Sequence, residues 1–320
     1  MAGSEAGPGW PQILTLGEPL IEFNQTDPAQ PLYLQGFGGD TSNTAIAAAR
    51  QGASVGYLTR LGADTFGDLF AELWAREGVD TRGVIRDAAA HTAVYFVSHG
   101  PLGHAFSYLR AGSAASRITP QDLPRDLLAN CRWLHVSGIS QAISANACDT
   151  VFAAIDAVHG FGGKVSFDSN LRLKLWPLDR ARAVIRATLG LADIFLPSIE
   201  DLQQLSGLAD ADEILDWCFV AGAKVVVMKL GRDGVVYGTR EERHRVNGHQ
   251  VKAVDATGAG DCFGGALLAR LVAGDSLAQA VSYANAAAAL TTTGFGAVAP
   301  IPRASGVTAF LESTTQGTRS

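Results

Sequence analysis

The sequence lacks the features that mark several classes of protein. Its four cysteines are far apart and form no Cys-x-x-Cys pair, which argues against a disulfide framework or a zinc site. It has no dense run of lysine and arginine, and its formal net charge is −6, so neither nucleic acid nor an acidic membrane is expected as a partner. No apolar run approaches the length of a membrane span, and the first residues lack a signal-peptide pattern. These absences predict a soluble, cytoplasmic protein.

Two common nucleotide-binding motifs are also missing. The chain has no Gly-x-x-x-x-Gly-Lys-[Ser/Thr] sequence, which excludes a Walker A loop. Gly258, Gly260 and Gly264 imitate a dinucleotide fingerprint, but their spacing is Gly-x-Gly-x-x-x-Gly and they lie late in the chain. A dinucleotide-dependent oxidoreductase is therefore a disfavoured alternative.

The hydrophobic pattern predicts an α/β protein. Strands are predicted at 13–17, 54–60, 133–136, 164–167, 194–196, 225–229 and 235–238, and helices at 41–51, 66–77, 145–159, 179–190, 210–221, 258–273 and 276–292. Their alternation predicts βαβ units and a parallel sheet covered on both faces, with ligands beyond the C-terminal ends of the strands. Two hairpin-like pieces, near 20–35 and 92–110, interrupt this pattern and predict a small β lid.

A glycine-rich turn followed by a carboxylate is the most informative stretch, Asp255-Ala256-Thr257-Gly258-Ala259-Gly260-Asp261. At a helix start, free N–H groups of Gly258, Ala259 and Gly260 form an anion site together with the helix dipole. Asp261 would repel a bound phosphate, so a carboxylate here makes sense if it acts on the group that attacks that phosphate. The stretch therefore indicates phosphoryl transfer with Asp261 as the base. The other interpretation is a tight turn in which Asp261 only complements the helix dipole.

Two further glycine-rich segments precede this turn, at residues 37–43 and 60–68. The first is expected to bring the backbone of Gly38 and Gly39 close to a ligand while Asp40 and Asn43 bind hydroxyl groups. The alternative is a capped helix after a tight turn. The second has the pattern Gly-x-Asp-x-x-Gly. In their order along the chain, the three segments closely resemble those of the ribokinase-like sugar kinases, the PfkB family.

The resemblance covers nearly the whole chain and implies a ribokinase-like three-layer α/β sandwich, with a mostly parallel central sheet and a small β lid. It implies a core of residues 13–19, 36–91 and 111–310 and a lid of residues 20–35 and 92–110. Residues 1–12 and 311–320 are expected to be flexible tails.

The resemblance also implies the roles of individual residues. Asp261 is the implied catalytic base, the implied anion hole is Gly258, Ala259 and Gly260, and ATP with Mg²⁺ or another divalent cation is the implied donor. A monovalent cation is a further candidate cofactor. The implied ATP-binding residues are Asn170, Ser198, Lys229, Gly231, Gly234, Gly258, Gly260 and Asn285, although Asn285 would equally suit a solvated helix face. Glu200 and Asp201 are candidates for binding the metal through water, with Ser198 standing where the family often has asparagine.

Arginines near the predicted pocket point to the substrate class. Tyr108 and Arg110 face the same side of a strand because side chains alternate, and Arg172 follows another strand. A guanidinium grips a carboxylate with two hydrogen bonds, so these residues favour a sugar acid. The alternatives are a surface Arg110 and an Arg172 tied to Asp168.

The sequence Tyr-x-Arg-x-Gly-Ser-Ala at 108–114, with the segments at 38–41 and 134–139, resembles 2-keto-3-deoxygluconate kinases within the family. This resemblance implies that the substrate-binding residues are Gly39, Asn43, Tyr95, Tyr108, Arg110, Arg172 and Asp261, to which the segment at 37–43 adds Asp40.

The predicted function is ATP-dependent phosphorylation of the terminal hydroxyl of 2-keto-3-deoxygluconate. Fructokinase is the alternative of the same family, because the segment at 168–176 also occurs there. A catalytically silent sugar-binding regulator is an alternative of another class, against which the presence of Asp261 argues. Exposed strand edges in a two-piece lid can pair with a second copy of the chain, so a homodimer through the lid is expected.

Overall fold

The computed structural model describes residues 9–27, 29–100 and 103–317. Its strands are β1 (Ile13–Leu16), β2 (Leu20–Gln25), β3 (Tyr33–Gly38), β4 (Val55–Gly62), β5 (Val79–Asp80), β6 (Val84–Asp87), β7 (Ala93–Gly100), β8 (Gly103–Leu109), β9 (Trp133–Ser137), β10 (Lys164–Asp168), β11 (Ile194–Phe195), β12 (Val226–Lys229), β13 (Val235–Gly238) and β14 (Arg243–Val246).

The α-helices alternate with these strands as the pattern predicts. They are α1 (Asp40–Arg50), α2 (Thr65–Glu77), α3 (Arg125–Asn130), α4 (Gly138–Ala142), α5 (Ala145–Gly160), α6 (Leu178–Leu191), α7 (Ile199–Ser206), α8 (Ala211–Val220), α9 (Ala259–Val272), α10 (Leu277–Thr291) and α11 (Ala304–Gly317). Every helix and core strand predicted from the sequence is present, with ends that differ by at most two residues.

The larger sheet has the strand order β14-β13-β12-β11-β10-β9-β1-β4-β5, with β6 also paired to β4. Neighbouring strands are parallel from β11–β12 to β4–β5, whereas the β12–β13 and β13–β14 pairs are antiparallel. Ile13 and Leu14 in β1 are both fully buried but belong to different apolar clusters, because successive side chains point to opposite faces. The predicted α/β fold, with a mostly parallel central sheet between two helical layers, is confirmed.

The smaller sheet has the order β3-β2-β7-β8. The β2–β3 and β7–β8 pairs are antiparallel, and β2 joins β7 in parallel. The sequence pointed to two hairpin-like pieces but not to this parallel junction, which buries the first half of β2 instead of leaving it exposed. The sheet also runs on to Gly38, beyond the predicted lid boundary at 35.

The predicted tails at 1–12 and 311–320 are too long. Pro11 is buried, and the backbone of Gln12 bonds to Ser54 and Arg132, so the chain is part of the core before residue 13. At the other end α11 continues to Gly317, with Val307 fully buried and Phe310 packed against the core. Both ends pack because they carry apolar side chains that cover the sheet and its helices.

Within the described residues, no helix is long and apolar enough to cross a membrane.

Helices α1 and α9 approach each other closely at Gly265. A Cβ atom at this position would lie 2.4 Å from the Thr44 carbonyl oxygen and 2.7 Å from the Ala47 Cβ. At the adjacent Gly264, an added Cβ would have its nearest neighbour at 3.6 Å, an ordinary van der Waals contact. The two glycines therefore differ in whether the helix contact allows a side chain.

This difference gives a prediction with a matched control. Gly265→Ala should lower the free energy of unfolding by about 1–3 kcal/mol, because the added methyl group forces the helices apart. Gly264→Ala should change it by less than about 1 kcal/mol, with alanine's better helix propensity in its favour. Urea denaturation of both variants measures the difference, and equal stabilities would contradict this account of the contact.

Candidate active site

The two glycine-rich turns lie at the starts of α1 and α9, and both need glycine. Gly39 has φ +102°, and a Cβ there would lie 2.4 Å from the Glu18 carbonyl oxygen. Gly258 has φ +77°, and its Cβ would lie 2.6 Å from the Ala297 carbonyl oxygen. Because this backbone conformation and these contacts exclude a side chain, each turn brings its helix start against a neighbouring loop.

Asp261, in the first turn of α9, is oriented by α1. The side-chain amide of Asn43 donates to Asp261 Oδ2 at 2.8 Å, and the Thr44 hydroxyl donates to the Asp261 carbonyl at 3.3 Å. Burial, followed by the negative charge of Asp40, raises the pKa of Asp261 to about 7. A carboxylate with a pKa near neutrality suits a general base.

The anion site differs in one detail from the expectation. Ala259 donates its backbone N–H to the Ala256 carbonyl at 3.2 Å, so this amide is engaged within the turn. In the described part of the chain, the N–H groups of Gly258 and Gly260 have no such partner. Asp255 braces the turn by accepting hydrogen bonds from the N–H groups of Thr257 and Gly296, both at 2.9 Å.

Lys229, at the end of β12, supplies a positive charge beside this turn. Its ammonium forms an ion pair with Asp168, and a Cβ at Gly260 would lie 3.4 Å from the Lys229 Nζ atom. The Lys229 and Asp168 side chains are 14% and 8% exposed, so the pair is largely shielded from water. Lys229 is therefore held where the phosphates of a nucleotide would meet the start of α9.

A cavity of about 670 Å³ lies next to Lys229 and Gly260. Five of the eight predicted ATP-binding residues line it, namely Lys229, Gly231, Gly234, Gly260 and Asn285. Asn285 is 7% exposed and donates to the Asn247 carbonyl at 2.9 Å, so it does not lie on a solvated helix face. The remaining wall includes His249 and Val251, for which the sequence offered no periodic signal because they lie in a loop.

The other three predicted ATP-binding residues, Asn170, Ser198 and Gly258, do not line this cavity. The Asn170 side chain donates to Asp40 Oδ2 at 2.9 Å and its backbone N–H donates to Asp168 Oδ1 at 3.1 Å. Asn170 thus connects Asp168, which pairs with Lys229, to Asp40, which lies near Asp261. Ser198 instead caps α7, accepting from the Asp201 N–H at 3.1 Å.

The two residues proposed for metal binding are in different environments. Asp201 Oδ2 accepts hydrogen bonds from the Ser169 hydroxyl at 2.7 Å and the Leu171 N–H at 2.9 Å, while Glu200 is exposed. The described ranges contain no group of three or more acidic, histidine or cysteine side chains that could hold a metal ion. A role for Glu200 or Asp201 through water stays a prediction.

The lid contributes an aromatic and charged wall. Tyr95 and Tyr108 are opposite each other on β7 and β8 and stack with ring centroids 5.8 Å apart. The Arg110 guanidinium lies 5.6 Å from the Tyr108 ring centre. The structure therefore brings these three predicted substrate residues together. The negative charge of Asp261 is close enough to Tyr95 to contribute to the raised pKa of the Tyr95 hydroxyl.

Two buried carboxylates behind this wall were missed by the sequence analysis. Glu18 forms an ion pair with Arg110, and Glu22 accepts a hydrogen bond from the Tyr95 hydroxyl. The available signal was an acidic residue directly after a buried strand, at Gly17-Glu18, where ligand sites are expected. Arg110 is consequently not the free surface residue of the alternative interpretation.

Arg172 occupies a more exposed position. Its guanidinium donates to the Leu171 carbonyl at 2.8 Å, and its charge acts to lower the pKa values of Asp40 and Asp201, both of which burial raises. Asp168 is paired with Lys229, so the alternative that ties Arg172 to Asp168 lacks support. Among the described residues, Arg172 and Arg110 share no partner.

A carboxylate with a raised pKa at a helix start, beside a cavity of this size, suits a phosphotransferase, and comparisons with known proteins agree. Residues 12–304 match the pfkB family carbohydrate kinases. Fructokinase-1 of Oryza sativa subsp. japonica is 33% identical over 317 residues, covering 94% of this chain and 98% of the relative. The 2-dehydro-3-deoxygluconokinase of Bacillus subtilis is 33% identical over 286 residues, covering 88% of each.

A solved structure described as a putative Ribokinase II from E. coli, in complex with ATP and Mg²⁺, superimposes with a TM-score of 0.87. It is 29% identical, and the match covers 95% of this chain and 99% of that one. The chain belongs to the pfkB family carbohydrate kinases. It is an ATP-dependent sugar kinase with the ribokinase-like fold, which leaves no support for an oxidoreductase.

The raised pKa of Asp261 predicts the pH dependence of the reaction. Asp261 acts as a base only when deprotonated, so kcat/KM should rise with pH through about 7 and level off above it. In Asp40→Asn the midpoint should move to lower pH, because removing the neighbouring negative charge favours the ionised form of Asp261.

Initial rates at subsaturating sugar, measured from about pH 5 to about pH 9, provide this profile. The remote Asp126→Asn should keep the parent midpoint, and Asp261→Asn should lose at least about a hundredfold in turnover while still binding ATP. An unchanged midpoint in Asp40→Asn would show that Asp40 does not tune the base.

Proposed function

We propose that this sugar kinase phosphorylates a sugar acid, 2-keto-3-deoxygluconate, on its terminal hydroxyl to give the 6-phosphate. The observation that carries the proposal is Arg110, whose guanidinium lies against the Tyr108 ring at the lid. Its Nε atom is buried and has no hydrogen-bond partner among the described residues. A buried donor without an acceptor destabilises the protein unless a ligand supplies the acceptor. A carboxylate matches the geometry and charge of the guanidinium best.

The chemistry follows from the arrangement around Asp261. The Asp261 carboxylate accepts the proton of the substrate hydroxyl group. The hydroxyl oxygen then bonds to the γ-phosphorus of ATP while the bond from that phosphorus to ADP breaks. The Gly258 and Gly260 amides and the Lys229 ammonium face the charge that spreads over the transferring group. Glu200 or Asp201 would hold Mg²⁺ through water, and the ion would supply further charge neutralisation.

A monovalent cation is proposed as an additional cofactor. The turn that carries the anion site is tied through Asp255 to Gly296, so an ion bound between these two loops would order the amides. Replacing potassium by tetramethylammonium in the assay should then lower the rate without changing the sugar preference.

Fructose is the second candidate substrate. The ion pair with Glu18 offsets the charge of Arg110, which makes this part of the pocket less selective for an acid. The rice fructokinase and the Bacillus 2-dehydro-3-deoxygluconokinase are equally identical to this chain, at 33%. The preference between the two sugars therefore depends on whether Arg110 binds a substrate carboxylate or is neutralised by Glu18.

A cytoplasmic location is proposed because all four cysteines are buried as free thiols, as in a reducing compartment that supplies ATP. Cell fractionation tests this location.

The substrate proposal predicts the outcome of an ADP-release assay over a panel of sugars and sugar acids. We expect kcat/KM for 2-keto-3-deoxygluconate to exceed that for fructose by at least about tenfold, the value of one charge-assisted hydrogen bond. Arg110→Met should raise KM for the acid by about tenfold or more and change KM for fructose little. The exposed Arg180→Met on α6 is the matched control. Preferred use of fructose, unaffected by Arg110→Met, would sink the proposal.

A homodimer through the lid is also proposed. The smaller sheet ends in the edge strands β3 and β8, on which Leu34 is 66% and Leu109 is 61% exposed. Exposed apolar edge strands favour pairing with a second copy. Sedimentation equilibrium should show a dimer that Leu34→Glu weakens, whereas Val220→Glu, at a 73% exposed position on α8, leaves it intact. A monomeric parent protein would refute the interface.

A further inference from the structure

Glu18 is an acidic residue buried at a junction between the two sheets. It lies between β1 of the larger sheet and β2 of the smaller one, and its side chain is fully buried. Its backbone carbonyl packs against Gly39, at another crossing between lid and core. A carboxylate is rarely buried this completely without partners, so its surroundings need an explanation.

The partners of Glu18 come from the point where the chain leaves the lid. Arg110, directly after β8, forms an ion pair with Glu18, and the Ser113 hydroxyl donates to the same carboxylate. These residues are more than ninety positions from Glu18 in sequence. The contact therefore ties the exit strand of the lid to its entry segment.

The electrostatics of the site make Glu18 and Arg110 dependent on each other. Burial raises the pKa of Glu18, whereas the charge of Arg110 and the hydrogen bond from Ser113 act in the opposite direction. Removing either partner would leave a buried charge uncompensated. The pair is thus held together in the folded protein.

The same pair restricts the orientation of the guanidinium. Arg110 Nη2 faces Glu18, and the guanidinium lies near the Tyr108 ring, which stacks on Tyr95. Tyr95 is itself fixed by its hydrogen bond to Glu22. The core carboxylate and the lid ring together limit the directions in which the remaining guanidinium donors can point.

We propose that Glu18 is a positioning residue for sugar binding, which orients Arg110 across the junction of lid and core so that its free donors face the substrate. This inference rests on the proposed function in that Arg110 is taken to contact the sugar. It adds that Glu18, which does not itself touch the sugar, sets the strength of that contact.

The test is a double-mutant cycle with Glu18→Gln, Arg110→Met and the combined variant, using the acceptor that the panel identifies. Glu18→Gln keeps the size of the side chain and an acceptor for Ser113 but removes the charge. We expect KM for the sugar to rise about tenfold with little change in kcat or in KM for ATP. In the Arg110→Met background, Glu18→Gln should have no further effect on KM, because Glu18 acts through Arg110.

Two additional variants separate positioning from stability. Glu18→Asp keeps the charge but withdraws the carboxylate by one methylene group, and it remains informative if Glu18→Gln does not fold. It should raise KM for the sugar while thermal unfolding shows a folded protein. Ser113→Ala removes the hydrogen bond to Glu18 and a longer one from the Ser116 N–H at 3.3 Å, but it leaves the charge of Glu18 in place, so it should have a smaller effect than either.

The result that overturns the inference is an additive cycle, or a fall in melting temperature with an unchanged KM for the sugar. If the preferred acceptor is a neutral sugar, the substrate proposal fails on its own. The cycle then still decides whether Glu18 acts through Arg110, since hydroxyl groups also accept from a guanidinium.

Discussion

The close contact between α1 and α9 is the constraint on which the rest of the site depends. It is possible because Gly265 presents no side chain to the backbone of Thr44. The contact places Asn43 within hydrogen-bonding distance of Asp261, across 218 positions of sequence. With Asp40 one turn before Asn43, it also brings a second carboxylate near the base. Orientation of the base and its raised pKa therefore have the same structural origin.

The carboxylates around this contact divide the site into two linked halves. Asp168 holds Lys229 beside the large cavity, and Asp40 lies near Asp261. Asn170 bonds to both aspartates and connects the halves. At the lid, Glu18 has a comparable relation to Arg110, because each buried acid fixes a basic side chain that would otherwise be mobile. Positioning of charges, which phosphoryl transfer requires, is thus built into the fold.

Much of the fold and part of the site could be predicted from local patterns. Strands such as β10 and helices such as α9 show their periodicity in sequence, and the turn at 258–260 requires glycine for reasons that are visible locally. The contact of Asn170 with Asp40 was not accessible in this way, because the two residues are 130 positions apart in sequence. Ser198 caps α7 through the nearby Asp201, and a role of either residue in ATP binding stays a prediction. Helix α11 was not predicted, and its packing partners are distant in sequence.

The sequence by itself determined the α/β architecture, the glycine turns and the class of reaction, and it predicted Asp261 as the base, because each depends on residue types at short spacing. The tertiary structure alone decided which charges meet. It paired Arg110 with Glu18, gave Asp261 its neighbour Asp40, and joined two hairpins into one sheet through β2 and β7. The physical reason is that ion pairing, burial and strand pairing act between groups that are close in space, and folding brings such groups together from distant parts of the chain.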